Sequence, residues 1–203
     1  MTPAELEALT HRPGPGRHDA ITTVDGHDVA TLADLPPMRD RLLFVGVQPS
    51  PESVEAGHYQ QGRLGRTFWR RLMLAGILPP ATPIVDADDA LVAAGHGITD
   101  VLKRPSVGDD AQAPRDAELT AGVGPLWQKI AIWRPAAIVF VDKRAASIAA
   151  GRDLRESWGQ LDGVALAGRP CFLMPAPYAP TEEVDEGLNF LRNLAAALPR
   201  DRA

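Results

Sequence analysis

The chain has very little cysteine, since Cys171 is the only one among 203 residues. A single thiol excludes a disulfide framework within the chain, a four-cysteine zinc site and an iron–sulfur cluster held by the chain's own thiolates. The chain also lacks an apolar run near the roughly 20 residues of a membrane span, and its first residues lack the basic and then apolar order of a signal peptide. These absences predict a soluble, cytoplasmic protein that does not bind a membrane.

The chain also has no excess of positive charge. Its 21 lysines and arginines stand against 26 acidic residues, which gives a net charge of −5 at pH 7. Bulk charge of this sign does not indicate nucleic-acid binding. The five histidines show no metal-ligand spacing, so we expect neither a metal nor a cofactor. The composition, 45% hydrophobic and 23% charged, is that of an ordinary globular chain, and we expect a monomer.

The first part of the chain contains a segment that resists regular structure. It is His11-Arg-Pro-Gly-Pro-Gly-Arg-His18, in which proline fixes φ and glycine adds backbone entropy. We therefore predict that residues 1–38 form a peripheral N-terminal arm and that residues 39–203 form a single domain. The arm is either loosely attached or a cationic contact for a polyanion, and composition does not decide between the two.

Continuous apolar runs predict strands that are buried on both faces. Three such runs each end at a polar residue or a proline, and a fourth is shorter: 42–47, 136–141, 169–174 and 98–102.

Amphipathic helices are predicted between these strands. Thr67 and Thr181 are predicted N-caps, and helical spacing over 119–133 is expected to be interrupted at Gly124-Pro125. Buried strands that alternate with amphipathic helices indicate an α/β fold with a parallel sheet covered on both faces.

A ligand of such a fold binds at the carboxyl ends of the strands. The segments that follow the strands are Gly46–Ser50, Asp142-Lys143 and Met174–Tyr178. The first and last are stiff and proline-bearing, which suits ligand binding at a small entropic cost. They are equally typical of simple turns, and composition alone leaves both interpretations open.

Six segments in chain order resemble known motifs. They are Leu43-Phe-Val-Gly-Val-Gln-Pro-Ser50, Gly57-His-Tyr59 with Arg66-Thr-Phe-Trp69, Gly97-Ile-Thr-Asp-Val-Leu-Lys-Arg-Pro-Ser106, Val139-Phe-Val-Asp-Lys143, Trp158-Gly159 and Met174-Pro-Ala-Pro177. Together they resemble the uracil-DNA glycosylase superfamily over about residues 41–195, most closely its mismatch-specific uracil/thymine branch. The chain departs from the pattern at three positions. Gln48 stands where the family has Asn or Asp, Ala176 where Ser is typical, and Asp142 where Gly is typical.

The resemblance implies a three-layer α/β/α fold with a short, mainly parallel central sheet. It also implies a DNA base-excision repair enzyme, a monofunctional glycosylase that needs no cofactor. This enzyme would hydrolyse the N-glycosidic bond of uracil, or of thymine or another damaged base in a mismatch, and leave an abasic site. The partner would be DNA that contains such a base. Gln48 and Ala176 motivate an alternative, a weak or inactive binder of damaged or single-stranded nucleic acid.

Two residues are candidates for holding the attacking water. The amide oxygen of Gln48 can accept a hydrogen bond from water but cannot take its proton at neutral pH. A desolvated Asp100 carboxylate can orient or deprotonate water, which is worth about 10²–10⁴-fold in rate. The alternative is a purely structural role for Asp100, as a carboxylate at the end of a strand that accepts hydrogen bonds from local backbone amides.

The remaining site residues follow from the resemblance. Tyr59 would stack on the base, although a half-exposed loop tyrosine is the plain alternative. Tyr178 would enter the space left by the flipped nucleotide. The full base pocket is Gly46, Val47, Pro49, Tyr59 and Phe68. The DNA contacts are Ser50, Ser53, Arg63, Arg66, Lys143, Pro175, Ala176, Pro177 and Tyr178.

Overall fold

The computed structural model describes residues 3–105, 114–154 and 157–198. Ser106, which ends one of the motifs above, lies outside the described residues. In chain order the elements are α1 (Pro3–Thr10), β1 (Asp19–Val24), β2 (His27–Leu32), β3 (Leu42–Gly46), α2 (Pro51–Ala56), α3 (Arg63–Leu74), a 3₁₀ turn (Ile84–Asp86), α4 (Ala87–Ala93), β4 (Gly97–Asp100), α5 (Asp116–Trp133), β5 (Ala137–Phe140), α6 (Lys143–Ala150), β6 (Gly159–Leu166), β7 (Arg169–Leu173) and α7 (Thr181–Ala196).

Five of these strands form the central sheet, in the order β4-β3-β5-β7-β6. The pairs β4–β3, β3–β5 and β5–β7 are parallel, and the edge strand β6 is antiparallel to β7. The four parallel strands are those that the apolar runs predict, and β6 was not predicted. Its buried and exposed residues largely alternate, which is typical of a strand with one solvent-exposed face.

Helices cover both faces of this sheet because successive side chains of a strand point to opposite sides. Leu42 and Phe44 pack in one cluster with residues of α3, α4 and α7. Leu43 and Val45 pack in the other with residues of α5 and α6. The predicted three-layer α/β/α architecture with a mainly parallel sheet is therefore confirmed.

The N-terminal segment is more closely integrated than a peripheral arm. β1 and β2 form an antiparallel hairpin, whose Asp25-Gly26 turn has positive φ at both residues. Leu32 and Leu35 are fully buried in the core cluster of α3 and α4. Leu35 also exchanges two backbone hydrogen bonds with Ile98, of 3.0 and 2.9 Å, and so covers the edge of β4. Residues 19–35 are therefore paired or packed against the rest of the fold, and the domain boundary at residue 38 stays a prediction.

Two helix boundaries and one interruption differ from the sequence expectations. α3 begins at Arg63, with Gly62 as its N-cap, so Thr67 lies inside the helix. α7 does begin at Thr181, but Pro180 is the N-cap and no side chain caps the helix. α5 continues through Pro125 without a break. Its buried residues before and after the proline, such as Leu119 and Ile130, pack in one cluster with residues of the sheet, and this packing stabilises the helix.

Among the described residues, none of the helices has the length and apolar character that crossing a bilayer requires.

Candidate active site

A cavity of about 550 Å³ opens at the carboxyl end of β3. Its walls come from the segment after β3, the first turns of α3 and the segment after β7, which is the edge predicted for a ligand. This volume is typical of small-molecule sites. The sequence-predicted residues that line it are Gly46, Val47, Gln48, Pro49, Ser50, Ser53, Tyr59, Arg63, Phe68, Asp100, Pro175 and Pro177.

Asp100 reaches the cavity because Gly46 has no side chain. The two residues are register partners at the ends of β4 and β3. A Cβ at position 46 would lie 2.2 Å from Asp100 Oδ1, well inside van der Waals contact. Glycine at this position therefore makes room for the carboxylate at the floor of the cavity.

The Asp100 carboxylate is held without local hydrogen-bond compensation. The residue is 2% exposed, and its Oδ2 has no hydrogen-bond partner within the described part of the chain. Burial raises the pKa of Asp100 to about 6. The charges of Lys103 and Lys129 lower this pKa and that of Asp34 raises it, but burial is the largest effect. The interpretation as a strand-end Asp satisfied by backbone amides does not describe Oδ2, which is free to bind a ligand or water.

A half-buried charge network that the sequence did not reveal lies near this carboxylate. Asp34 pairs with Lys103 at 3.0 Å and with Lys129 at 2.6 Å, and Thr99 Oγ1 donates to it at 2.5 Å. Burial alone would raise the pKa of Asp34, but the two lysines and these hydrogen bonds outweigh it and hold that pKa well below its usual range. Three distant segments contribute to the network, so no local spacing signals it.

Gln48 follows β3 by two residues and is half-buried. Its Oε1 is buried and has no hydrogen-bond partner among the described residues. Buried acceptors of this kind are rare in folded proteins. The structure therefore places two unpartnered acceptor oxygens, on Gln48 and Asp100, in the lining of one cavity.

Tyr59 is 1% exposed, so the half-exposed alternative is wrong. Its hydroxyl donates to the carbonyl of Ala33 at 2.8 Å and accepts from Lys103 Nζ at 2.9 Å. Trp69 Nε1 donates to its carbonyl at 3.1 Å. Phe68, also at the cavity, packs edge-on against Trp69 and Phe44. Both rings of the predicted base pocket are rigidly held.

Gln60 is a lining residue that the sequence analysis missed. It adopts the left-handed conformation, with φ of 57°, which a non-glycine residue rarely does. Gly65 of α3 packs directly on its backbone, since a Cβ there would lie 1.9 Å from the Gln60 carbonyl oxygen. Gln60 Nε2 lies 3.7 Å from the position of a Gly46 Cβ, close to Asp100. The fold thus holds a strained residue at the cavity floor.

Arg71 positions the segment after β7, and the sequence analysis missed it too. It is a buried residue of α3, 7% exposed. Its guanidinium donates to the carbonyls of Pro175 and Ala176, at 2.5 and 3.0 Å. Gly187 of α7 packs on the other side of Pro175. Ala176 itself does not line the cavity, although both flanking prolines do.

The candidate DNA contacts lie in several places. Arg63 lines the cavity, and its Nη2 donates at 3.5 Å to the hydroxyl of Tyr178, which is 71% exposed. Ser50 caps α2 by accepting from the Ser53 N–H at 3.2 Å, which gives it a structural role beside the cavity.

The other candidates lie away from the lining. Arg66 is on the exposed side of α3, and Lys143 is the half-buried first residue of α6. Asp142, which stands where the family has glycine, lines the cavity and caps α6 by accepting from the Ala145 N–H at 2.9 Å.

Comparison with known proteins supplies the family. The model of the uracil DNA glycosylase superfamily matches residues 33–194, which include both cavity-lining segments and the central sheet. The chain belongs to the uracil DNA glycosylase superfamily. The resemblance inferred from the six motifs is thereby confirmed at the level of the superfamily. No curated protein matches the chain.

Membership of the uracil DNA glycosylase superfamily supports a uracil-DNA glycosylase-like function in general, with DNA as the substrate. The matched region begins at Ala33, next to Asp34, so it includes the buried partner of Lys103. The structure brings the glycosylase-like motifs at Gly46–Ser50, Tyr59 and Met174–Pro177 around one cavity.

Proposed function

We propose that the protein is a monofunctional DNA glycosylase that hydrolyses the N-glycosidic bond of uracil and leaves an abasic site. Thymine or another deaminated or damaged base in a mismatch is a further substrate class, supported by the resemblance to the mismatch-specific branch. One observation carries the proposal. A cavity of about 550 Å³ at the sheet edge is lined by two buried acceptor oxygens, on Gln48 and Asp100, that have no hydrogen-bond partner among the residues that the structure describes.

The target nucleotide must leave the duplex because its glycosidic carbon is inaccessible within the base stack. The extruded base then enters the cavity between the ring of Tyr59 and the segment after β3. Since Tyr59 is fixed at both its backbone and its hydroxyl, stacking on it costs little side-chain entropy. Phe68 closes the apolar side of the cavity.

Hydrolysis needs a positioned water and a stabilised leaving group. Gln48 Oε1 accepts a hydrogen bond from the water, and the Asp100 carboxylate takes its proton as the water oxygen bonds to the sugar carbon. The bond from that carbon to the base breaks, and the base departs with the electron pair. Backbone N–H groups at Val47-Gln48 stabilise the resulting anion, as fixed donors do in other anion-stabilising sites.

The DNA backbone would be held around the mouth of the cavity. Arg63 and Arg66 on α3, together with Lys143 on α6, are the proposed phosphate contacts. Tyr178 is exposed and lies beside Arg63, which supports a role for its ring in filling the gap left by the flipped nucleotide. Stacking of such a ring on a base is worth about 1–3 kcal/mol.

The proposal is tested with end-labelled duplexes that carry G·U, G·T, hypoxanthine or ethenocytosine, and with single-stranded uracil DNA. Protein in excess is incubated with each, and abasic sites are revealed by alkali. We expect free uracil and an alkali-labile strand from G·U, with no strand cleavage before alkali. Salt-sensitive DNA binding without base release from any substrate would instead establish the alternative, a non-catalytic binder.

A further inference from the structure

Four potential metal ligands meet away from the cavity, although they are widely spaced in the chain. His18 precedes β1, His58 lies between α2 and α3, and Asp88 and Asp89 are in the first turn of α4. One ligand atom from each of these side chains lies within 4.8 Å of the others. Three segments, far apart in the chain, supply the cluster, so the spacing of the histidines does not indicate a metal site.

The atoms of this cluster face one another closely. His18 Nε2 lies 2.9 Å from Asp89 Oδ1 and 3.8 Å from Asp88 Oδ2. His58 Nδ1 lies 2.9 Å from Asp88 Oδ1. Each side chain therefore presents a nitrogen or oxygen to a common centre, and small shifts would bring all four to the 2.0–2.2 Å typical of zinc bonds.

The buried charge of the cluster is not balanced by a fixed cation. The Asp88 side chain is 0% exposed and that of Asp89 is 16% exposed. Among the described residues, the ion pairs of both carboxylates are with the two imidazoles, and no lysine or arginine takes part. Two adjacent carboxylates that are largely shielded from water repel each other, and a bound cation would lower that cost. Nε2 is the nitrogen of His18 that faces the two carboxylates, and its Nδ1 is buried without a partner within the described residues.

The outer contacts of the carboxylates resemble the support that metal ligands usually have. Asp88 Oδ2 accepts from the backbone N–H of Tyr59 at 2.7 Å, and Asp89 Oδ2 accepts from that of Gly16 at 2.8 Å. Asp88 Oδ1 also accepts from the backbone N–H of Asp89 at 3.0 Å. Backbone donors therefore hold both acidic side chains in place.

We propose that His18, His58, Asp88 and Asp89 bind one divalent transition metal ion, with Zn²⁺ as the ion that fits best. Two imidazole nitrogens and two carboxylate oxygens form a tetrahedral donor set that suits zinc, and they neutralise its charge. Four protein ligands leave no open position, so the site is structural. The ion joins the N-terminal segment to α4 and, through Asp88, to the backbone of Tyr59 at the cavity wall.

The test uses the full chain, stripped with a chelator and dialysed. Zn²⁺ is added, bound metal is measured by mass spectrometry after gel filtration, and melting is followed with and without the ion. Co²⁺ is added in parallel, because four-coordinate Co²⁺ has intense visible absorption. We expect about one Zn²⁺ per chain, a higher melting temperature with Zn²⁺, and a tetrahedral Co²⁺ spectrum.

Two variants locate the ion. Asp89→Asn keeps the size of the side chain and is expected to weaken Zn²⁺ binding at least about tenfold, as is His58→Ala. His27→Ala, at an exposed histidine of β2, is the matched control and is expected to bind like the unaltered chain. Less than one-tenth of an equivalent of Zn²⁺ in the folded chain, or equal binding by Asp89→Asn, would overturn the proposal.

Discussion

The carboxylate of Asp100 occupies the space that a side chain of Gly46 would fill. A Cβ built on Gly46 would lie 2.2 Å from Asp100 Oδ1, and the two residues are partners at the ends of adjacent parallel strands. The floor of the cavity is therefore a joint feature of β3 and β4, and the position of the carboxylate depends on glycine at 46.

Replacement of this glycine tests that dependence. We expect Gly46→Ala to push the Asp100 carboxylate aside and to slow single-turnover base release about a hundredfold, the effect typical of a displacement near 1 Å. Gly14→Ala is the matched control, because a Cβ at position 14 meets no atom within 4 Å. Circular dichroism reports whether each variant is folded. A folded Gly46→Ala protein with an unchanged rate would show that Asp100 is not positioned in this way.

The elevated pKa of Asp100 also predicts a stability effect. Burial raises that pKa from 3.8 to about 6, so the folded state loses stability as the pH rises from about 4 to above 6. Asp100→Asn has no such ionisation, and we expect it to be more stable than the unaltered chain by about 1–3 kcal/mol at pH 8. At pH 4 the two should be closely similar. Urea unfolding at both pH values measures this, with the exposed Asp162→Asn as control.

The rate of base release is expected to depend on pH through the same group. Asp100 faces Lys103, Asp34, Lys129 and Tyr59. The pKa values of Lys103 and Tyr59 are raised and that of Asp34 is lowered, so each of these three keeps one charge state between pH 5 and 8.

Asp100 must be ionised to accept a proton, so the rate should rise with pH and level off above about 6. At pH 5 we expect it to be about tenfold below the plateau. A rate that is flat from pH 5 to 7 would contradict a role for Asp100 as the base.

Arg71 is predicted to act by holding the segment after β7. Arg71→Lys keeps the charge but loses the paired hydrogen bonds to Pro175 and Ala176. We expect a loss of stability of about 1–3 kcal/mol and a KM for uracil-containing duplex raised about tenfold, with a smaller change in kcat. Arg70→Lys, at the exposed neighbour, should change neither. A lower free energy of unfolding and a lower kcat, with no change in KM, would indicate a purely structural role.

Sequence patterns predict the centre of the sheet well because β3 and β5 are buried on both faces and read as unbroken apolar runs. The signal for β4 is weaker, since this short strand contains Thr99 and Asp100. The hairpin of β1 and β2 lacks that signal, since its side chains alternate between exposed and half-buried. The Asp25-Gly26 pair between two polar-and-apolar stretches is the signal that could have predicted it. The start of α3 was misplaced because Thr67 was predicted to be its N-cap, whereas Gly62 holds that position. Gly65 then lies inside the helix, where the backbone of Gln60 approaches closely.

The sequence predicts those residues of the site that lie within short motifs. Gln48, Tyr59 and Asp100 lie in motifs, and the fold brings them to one cavity. Asp34 and Arg71 could not be predicted, because their importance comes from contacts with segments 69 to 105 residues away. An ion pair or a backbone contact between residues so far apart produces no periodic pattern in the sequence.

The most direct test of the proposed mechanism is the single-turnover release of uracil from a G·U duplex at pH 7.5 by the unaltered chain and by Asp100→Asn. The account predicts free uracil from the unaltered chain and a rate lower by about 10²–10⁴-fold in the variant, although the variant is folded and binds the duplex. Equal rates for the two proteins, or no uracil released by either, would contradict it.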